Sequence, residues 1–84
     1  MQYQKVYVTV EMLVRSDGAI RPKCILWDDE NTYFIDRILH ITPAASLKVG
    51  GRGIRYTVII EGKERHLFYE DGRWFVEAKQ DQIP

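Results

Sequence analysis

The stretch "IIEGKERHLFYEDGRWFVEAK", Ile59–Lys79, contains two tight-turn signals and four aromatic residues. Its reading decides the fold. Gly62-Lys63 and Asp71-Gly72 each suit a two-residue hairpin loop, Gly in first position favouring type II′ and Asp-Gly favouring type I′. Three strands joined by such loops have fixed facing. Tyr56, Tyr69 and Trp74 then share one side with Val58, Leu67, Val76, Ile60 and Ala78, and Arg65 is the one polar residue there. That side is the expected core face. The opposite side carries Thr57, Phe68 and Phe75 in one row, Ile59, His66 and Glu77 beside it, and Arg55, Glu70 and Arg73 on the other flank.

Working back along the chain, "KVYVTVEMLV" alternates. Val6, Val8, Val10, Met12 and Val14 fall on one side, and Tyr7, Thr9, Glu11 and Leu13 on the other. Period two with β-branched residues predicts a strand. Asp17-Gly18 marks a turn, and "IRPKCILW" a second strand, with Pro22 placed near the strand start, an edge or a bulge because it donates no hydrogen bond. "DDEN" is a polar turn. "TYFIDRILHIT" predicts a third strand, with Tyr33, Ile35 and Leu39 on one side and Phe34 and Ile38 on the other. A Gly-rich loop at 43–53 follows. No segment shows a helical period. The expected fold is an all-β antiparallel meander of about six strands, near 5–14, 20–28, 32–42, 53–61, 64–70 and 73–78. A sheet this short hides its apolar side by curling into a small, SH3-like, partly open barrel.

The 84 residues predict one domain over 1–84, with an ordered core at about 5–79 and frayed ends at Met1–Gln4 and Gln80–Pro84. A chain of this size buries roughly two-thirds or less of its unfolded surface, so it more readily presents a face than a deep cleft. Lys and Arg total 12 and so do Asp and Glu, a balance that argues against a dedicated nucleic-acid binder, whose field is usually positive. Cys24 is the only cysteine, so no internal disulfide forms, and a small buried thiol is expected. Lys5 and Glu11 interrupt the N-terminal apolar pattern, so neither a signal peptide nor a membrane span is expected, and a cytoplasmic location follows.

No catalytic constellation emerges. His40 and His66 lack metal-ligand spacing. "GGRG" lacks the Lys-Ser/Thr and the helix that a phosphate loop needs. Ser16 and Ser46 have no nucleophile-elbow context. Asp28, Asp29 and Glu30 read as a solvated turn rather than a cation site. The expectation is no enzyme, no cofactor, no metal and no small-molecule substrate.

Taken together, "P-x-x-I-x-W" around Trp27, "Y-x-I-D-R-I-L", "R-Y-T-V" and "L-F-Y-E-D-G-R-W-F-V-E" resemble a small uncharacterised bacterial all-β domain family. Its members pair a Trp at the end of strand two with a closing Leu-Tyr…Gly-x-Trp hairpin. The resemblance spans about Val10 to Ala78. It implies the fold, brings no catalytic residues, and raises a nucleic-acid or repair-complex association.

The candidate binding face comprises Arg55, Ile59, His66, Phe68, Arg73 and Phe75. Two phenylalanines rimmed by charge, if open to solvent, mark an interaction surface. If the N-terminal strands cover them, they are core. The first functional reading is a non-catalytic module binding protein, including a second copy of itself. The second is a nucleic-acid-binding small barrel of DNA repair or RNA metabolism, with Lys48, Arg52, Arg55 and Arg73 on phosphates and Phe68 or Phe75 stacking on bases.

Overall fold

Every alternating stretch becomes a strand, and no helix forms among the described residues. The computed structural model describes residues 3–43 and 53–79. The strands are β1 (Tyr3–Val14), β2 (Ile20–Leu26), β3 (Thr32–Phe34), β4 (Arg37–Pro43), β5 (Ile54–Ile60), β6 (Lys63–Glu70) and β7 (Arg73–Lys79). They form one antiparallel sheet in the order β3-β2-β1-β7-β6-β5-β4, curled into a half-barrel. The partly open all-β barrel is as expected. The Gly-rich loop, with Ser46, Lys48 and Arg52, and most of the two frayed ends lie outside the described residues.

Three details differ from the sequence reading. The third predicted strand is two strands, β3 and β4, at opposite edges of the sheet. The chain crosses between those edges at Ile35 and Asp36. Ile35 N–H donates to the Lys23 carbonyl of β2 at 3.0 Å, and Asp36 N–H donates to the Ile59 carbonyl of β5 at 2.8 Å. Adjacent amides thus tie the two edges together. The crossing, and a register irregularity between Ile38 and His40, reset the side-chain alternation. Ile38 therefore joins Tyr33 and Ile35 against the core instead of facing away from them. The order is also more than a meander, because β1 lies beside β7 and joins the first and last segments.

Both hairpins around β6 close with type I′ backbone. Glu61 and Gly62 have φ of 52° and 77°, and Asp71 and Gly72 have 52° and 78°. The first loop is thus Glu61-Gly62, one residue earlier than expected, and Ile60 pairs with Lys63. Type I′ twist matches the twist of the flanking strands. A one-residue move of a two-residue loop shifts the pairing by two positions, so every side chain keeps its face. Tyr56 now faces Leu67, while Tyr69 faces Trp74 as expected.

The concave face is the core. Ile25, Tyr56, Val58, Ile60, Leu67 and Trp74 are buried together, flanked by Val8, Val10, Trp27, Tyr33, Ile35 and Ile38. Trp74 lies between Tyr56 and Tyr69, with ring centroids 5.1 and 4.6 Å away. Buried tyrosine needs a partner for its hydroxyl, and Tyr56 Oη donates to the Ile20 carbonyl at 3.2 Å. Pro22 sits opposite Met12, next to a register irregularity in the β1–β2 ladder, where its missing N–H is tolerated. Cys24 is buried, and burial pushes its thiol above the ordinary range.

Candidate functional site

The sequence-predicted residues all lie on the convex face of β5, β6 and β7. Cross-strand pairing aligns four side chains in one row, Tyr7–Phe75–Phe68–Arg55, running β1–β7–β6–β5. The Phe68 and Phe75 rings stack at 5.0 Å with planes 8° apart, and Tyr7 meets Phe75 edge-on at 5.8 Å.

The two rings at the centre of this row are not open to solvent. Phe68 is 3% exposed and Phe75 is fully buried. The expectation of two exposed rings is therefore corrected: they belong to a second, outer core. Part of the cover comes from β1. Lys5 stretches diagonally over the Phe75 ring, with Nζ 4.9 Å from its centroid, and its ammonium donates to Glu70 Oε1 at 3.0 Å. A long cationic stem can shield an apolar ring while its head stays polar. The bond to Glu70 is the main reason the Lys5 ammonium is held above the usual lysine range, against partial desolvation.

The remaining members separate. Arg73 is exposed and stacks on Tyr7, its guanidinium carbon 3.5 Å from the ring centroid. Arg55 is half-buried beside Phe68, and its buried Nε has no hydrogen-bond partner. Ile59 is half-buried, and His66 is exposed opposite the buried Thr57. Neither touches the Arg73–Tyr7 pair in register, so the six residues are not one patch. Tyr7 and Lys5 were missing from the candidate set. The alternation of β1 put Tyr7 on the side away from Val6 and Val8, and Lys5 has the same parity, but only the β1–β7 pairing places them next to Phe75.

A different surface is open. β1 changes partner halfway along. Tyr3–Val8 pair with β7, and Thr9–Val14 pair with β2. Beyond Val8 no strand among the described residues lies on the β7 side of β1. This half carries three consecutive exposed apolar residues, Met12 at 40%, Leu13 at 47% and Val14 at 58%. An open notch of about 280 Å³ runs along it, bounded by Tyr7, Val10 and Met12 on β1 and by Gly72, Arg73 and Trp74 on the facing hairpin.

The polar turn at Asp28 is self-satisfied. Its Oδ1 accepts from Glu30 N–H, Asn31 N–H and Asn31 Nδ2, all at 2.9 Å, and these bonds, led by the Asn31 side chain, hold the carboxyl below its usual range. Among the described residues no three His, Cys, Asp or Glu side chains gather as a metal site, and no helix is long and apolar enough to cross a membrane.

No protein-family model matches this chain, and no curated protein or solved structure matches it.

Proposed function

We propose that this protein is a non-catalytic interaction module that binds protein by accepting an added strand along the open half of β1. The observation that supports this is the run Met12–Val14, exposed and apolar on a strand segment with a vacant edge. Monomeric β proteins protect free edges with charges, prolines or cover. A free edge with three consecutive exposed apolar side chains suits strand addition, in which main-chain hydrogen bonds supply affinity and alternate side chains supply selectivity. Of the sequence-predicted residues, Arg73 contributes, since it borders the notch beside this edge. Phe68 and Phe75 act from below, as the packing that holds Tyr7 and β7 in place. With both rings buried, neither Phe68 nor Phe75 is open to stack on a base, which favours the protein-binding reading.

The test places a photo-crosslinking amino acid at Val14 in the full chain expressed in cells. A discrete adduct with a protein is expected, and it should disappear when Met12→Pro removes an edge N–H. Irradiation that yields no protein adduct refutes strand addition at this edge.

A further inference from the structure

We infer, on the basis of the strand-addition reading above, that the strand added to β1 is β1 of a second copy of this chain, paired antiparallel about a two-fold axis through Leu13.

The backbone sets the pairing. Arg15 N–H donates to the Ala19 carbonyl at 2.8 Å, and the ladder from Val14↔Ile20 to Met12↔Pro22 is regular. Backbone polar groups alternate sides along an antiparallel strand. Those of Leu13 therefore face β2, and those of Met12 and Val14 face the vacant edge. Pro22 opposite Met12 fits this, because that pair exchanges no hydrogen bonds.

The length of the window selects the axis. At one end the β1–β7 ladder stops at Val8↔Trp74, and the Gly72 hairpin faces Val10 and Met12 from across the open notch. At the other, the chain turns away after Arg15, where Gly18 N–H donates to the Arg15 carbonyl at 2.9 Å. The free window is thus Glu11–Arg15, and Leu13 is its centre.

Charge selects the same axis. Pairing about Leu13 sets Glu11 of each copy opposite Arg15 of the other. Leu13 meets Leu13 between these ion pairs on one face, and Met12 meets Val14 twice on the other. Moving the axis to Met12 leaves Glu11 opposite Leu13. Moving it to Val14 sets Glu11 opposite Asp17, a like-charge pair, which destabilises a sheet. Only the Leu13 axis makes the edge complementary to itself in both charge and shape. Five residues of strand make a contact of about 17 Å, well short of a standard interface. The dimer is accordingly weak and reversible, and it forms in concentrated solution.

The experiment is charge exchange in the full chain, read by sedimentation equilibrium over a concentration series. Circular dichroism confirms that each variant is folded. Glu11 and Arg15 are exposed, but Glu11 Oε1 also accepts from the buried Cys24 thiol at 3.4 Å, so Arg15→Glu is the substitution that leaves the core untouched. Glu11→Arg alone and Arg15→Glu alone should each weaken self-association by about tenfold, because both symmetry-related pairs become repulsive. An equal mixture of the two single variants should recover a heterodimer, and the double variant Glu11→Arg/Arg15→Glu should recover the homodimer. A wild-type chain that stays monomeric at every concentration overturns the inference, as do single variants that associate like wild type. A Val14 crosslink to a different protein, with a monomeric wild type, overturns the second-copy partner and leaves strand addition standing. No crosslink to any protein overturns both.

Discussion

Phe68 and Phe75 stack nearly parallel across the β6–β7 hairpin, 5.0 Å apart, and both are closed to solvent. The half-barrel is therefore apolar on two sides. Its concave face surrounds Trp74, and its convex face holds a smaller layer in which Tyr7 and the Lys5 stem contact Phe75. The outer rings hold the sheet together, while the second half of β1 pairs on one side only among the described residues.

Truncating the outer layer should therefore cost stability. Phe75→Ala is expected to lose about 3–5 kcal/mol, the range for a buried aromatic replaced by Ala. The double change Phe68→Ser/Phe75→Ser should leave the chain unfolded, since a domain of this kind has only about 5–15 kcal/mol in total. Urea denaturation followed by tryptophan fluorescence measures both. A double variant that keeps the wild-type midpoint would show the rings to be surface groups.

Trp74→Ala should cost a similar 3–5 kcal/mol from the concave side. Trp74 is 5% exposed and contacts both Tyr56 and Tyr69. A melting temperature within a few degrees of wild type would contradict this packing.

Gly53 should resist substitution. Its φ is +122°, and a Cβ there would overlap the Tyr69 carbonyl oxygen. Gly53→Ala combines backbone strain of about 1–3 kcal/mol with displacement of β6. Gly18→Ala is the control, with positive φ but open space around it. Thermal melts should show Gly53→Ala to be clearly the more damaging of the two.

Stability should fall in alkali. Burial holds the Tyr56 phenol above its ordinary range, reinforced by Tyr69, and the Glu70 bond does the same for the Lys5 ammonium. Both groups bind their protons more tightly folded than unfolded. Their contribution is fully present below the unfolded values, near pH 10, and is lost as pH rises through the higher folded values. Tyr56→Phe should shrink this alkaline decline. At neutral pH it should cost about 0.5–1.5 kcal/mol, the net value of the hydrogen bond to the Ile20 carbonyl. Melts from pH 7 to 11 of the two proteins test the difference. Parallel curves would remove Tyr56 from the account.

By itself the sequence determined what depends on local chemistry. Alternation placed the strands, Asp71-Gly72 placed a turn, and parity separated Tyr56, Tyr69 and Trp74 from Phe68 and Phe75. Parity even survived a one-residue error in the Glu61-Gly62 turn, because the resulting shift was an even number of positions. Only the tertiary structure decided which strands meet across long separations. The pairing of Tyr7 with Phe75 joins residues 68 positions apart, and nothing in local propensity specifies it. That contact buried the outer rings, brought Lys5 to Glu70, and left Thr9–Val14 without a second strand neighbour among the described residues. The split of the third strand at Ile35 and Asp36 has the same origin. Curling the sheet forces consecutive residues onto opposite edges, and closure of the whole sheet, not the alternation of any segment, makes that necessary.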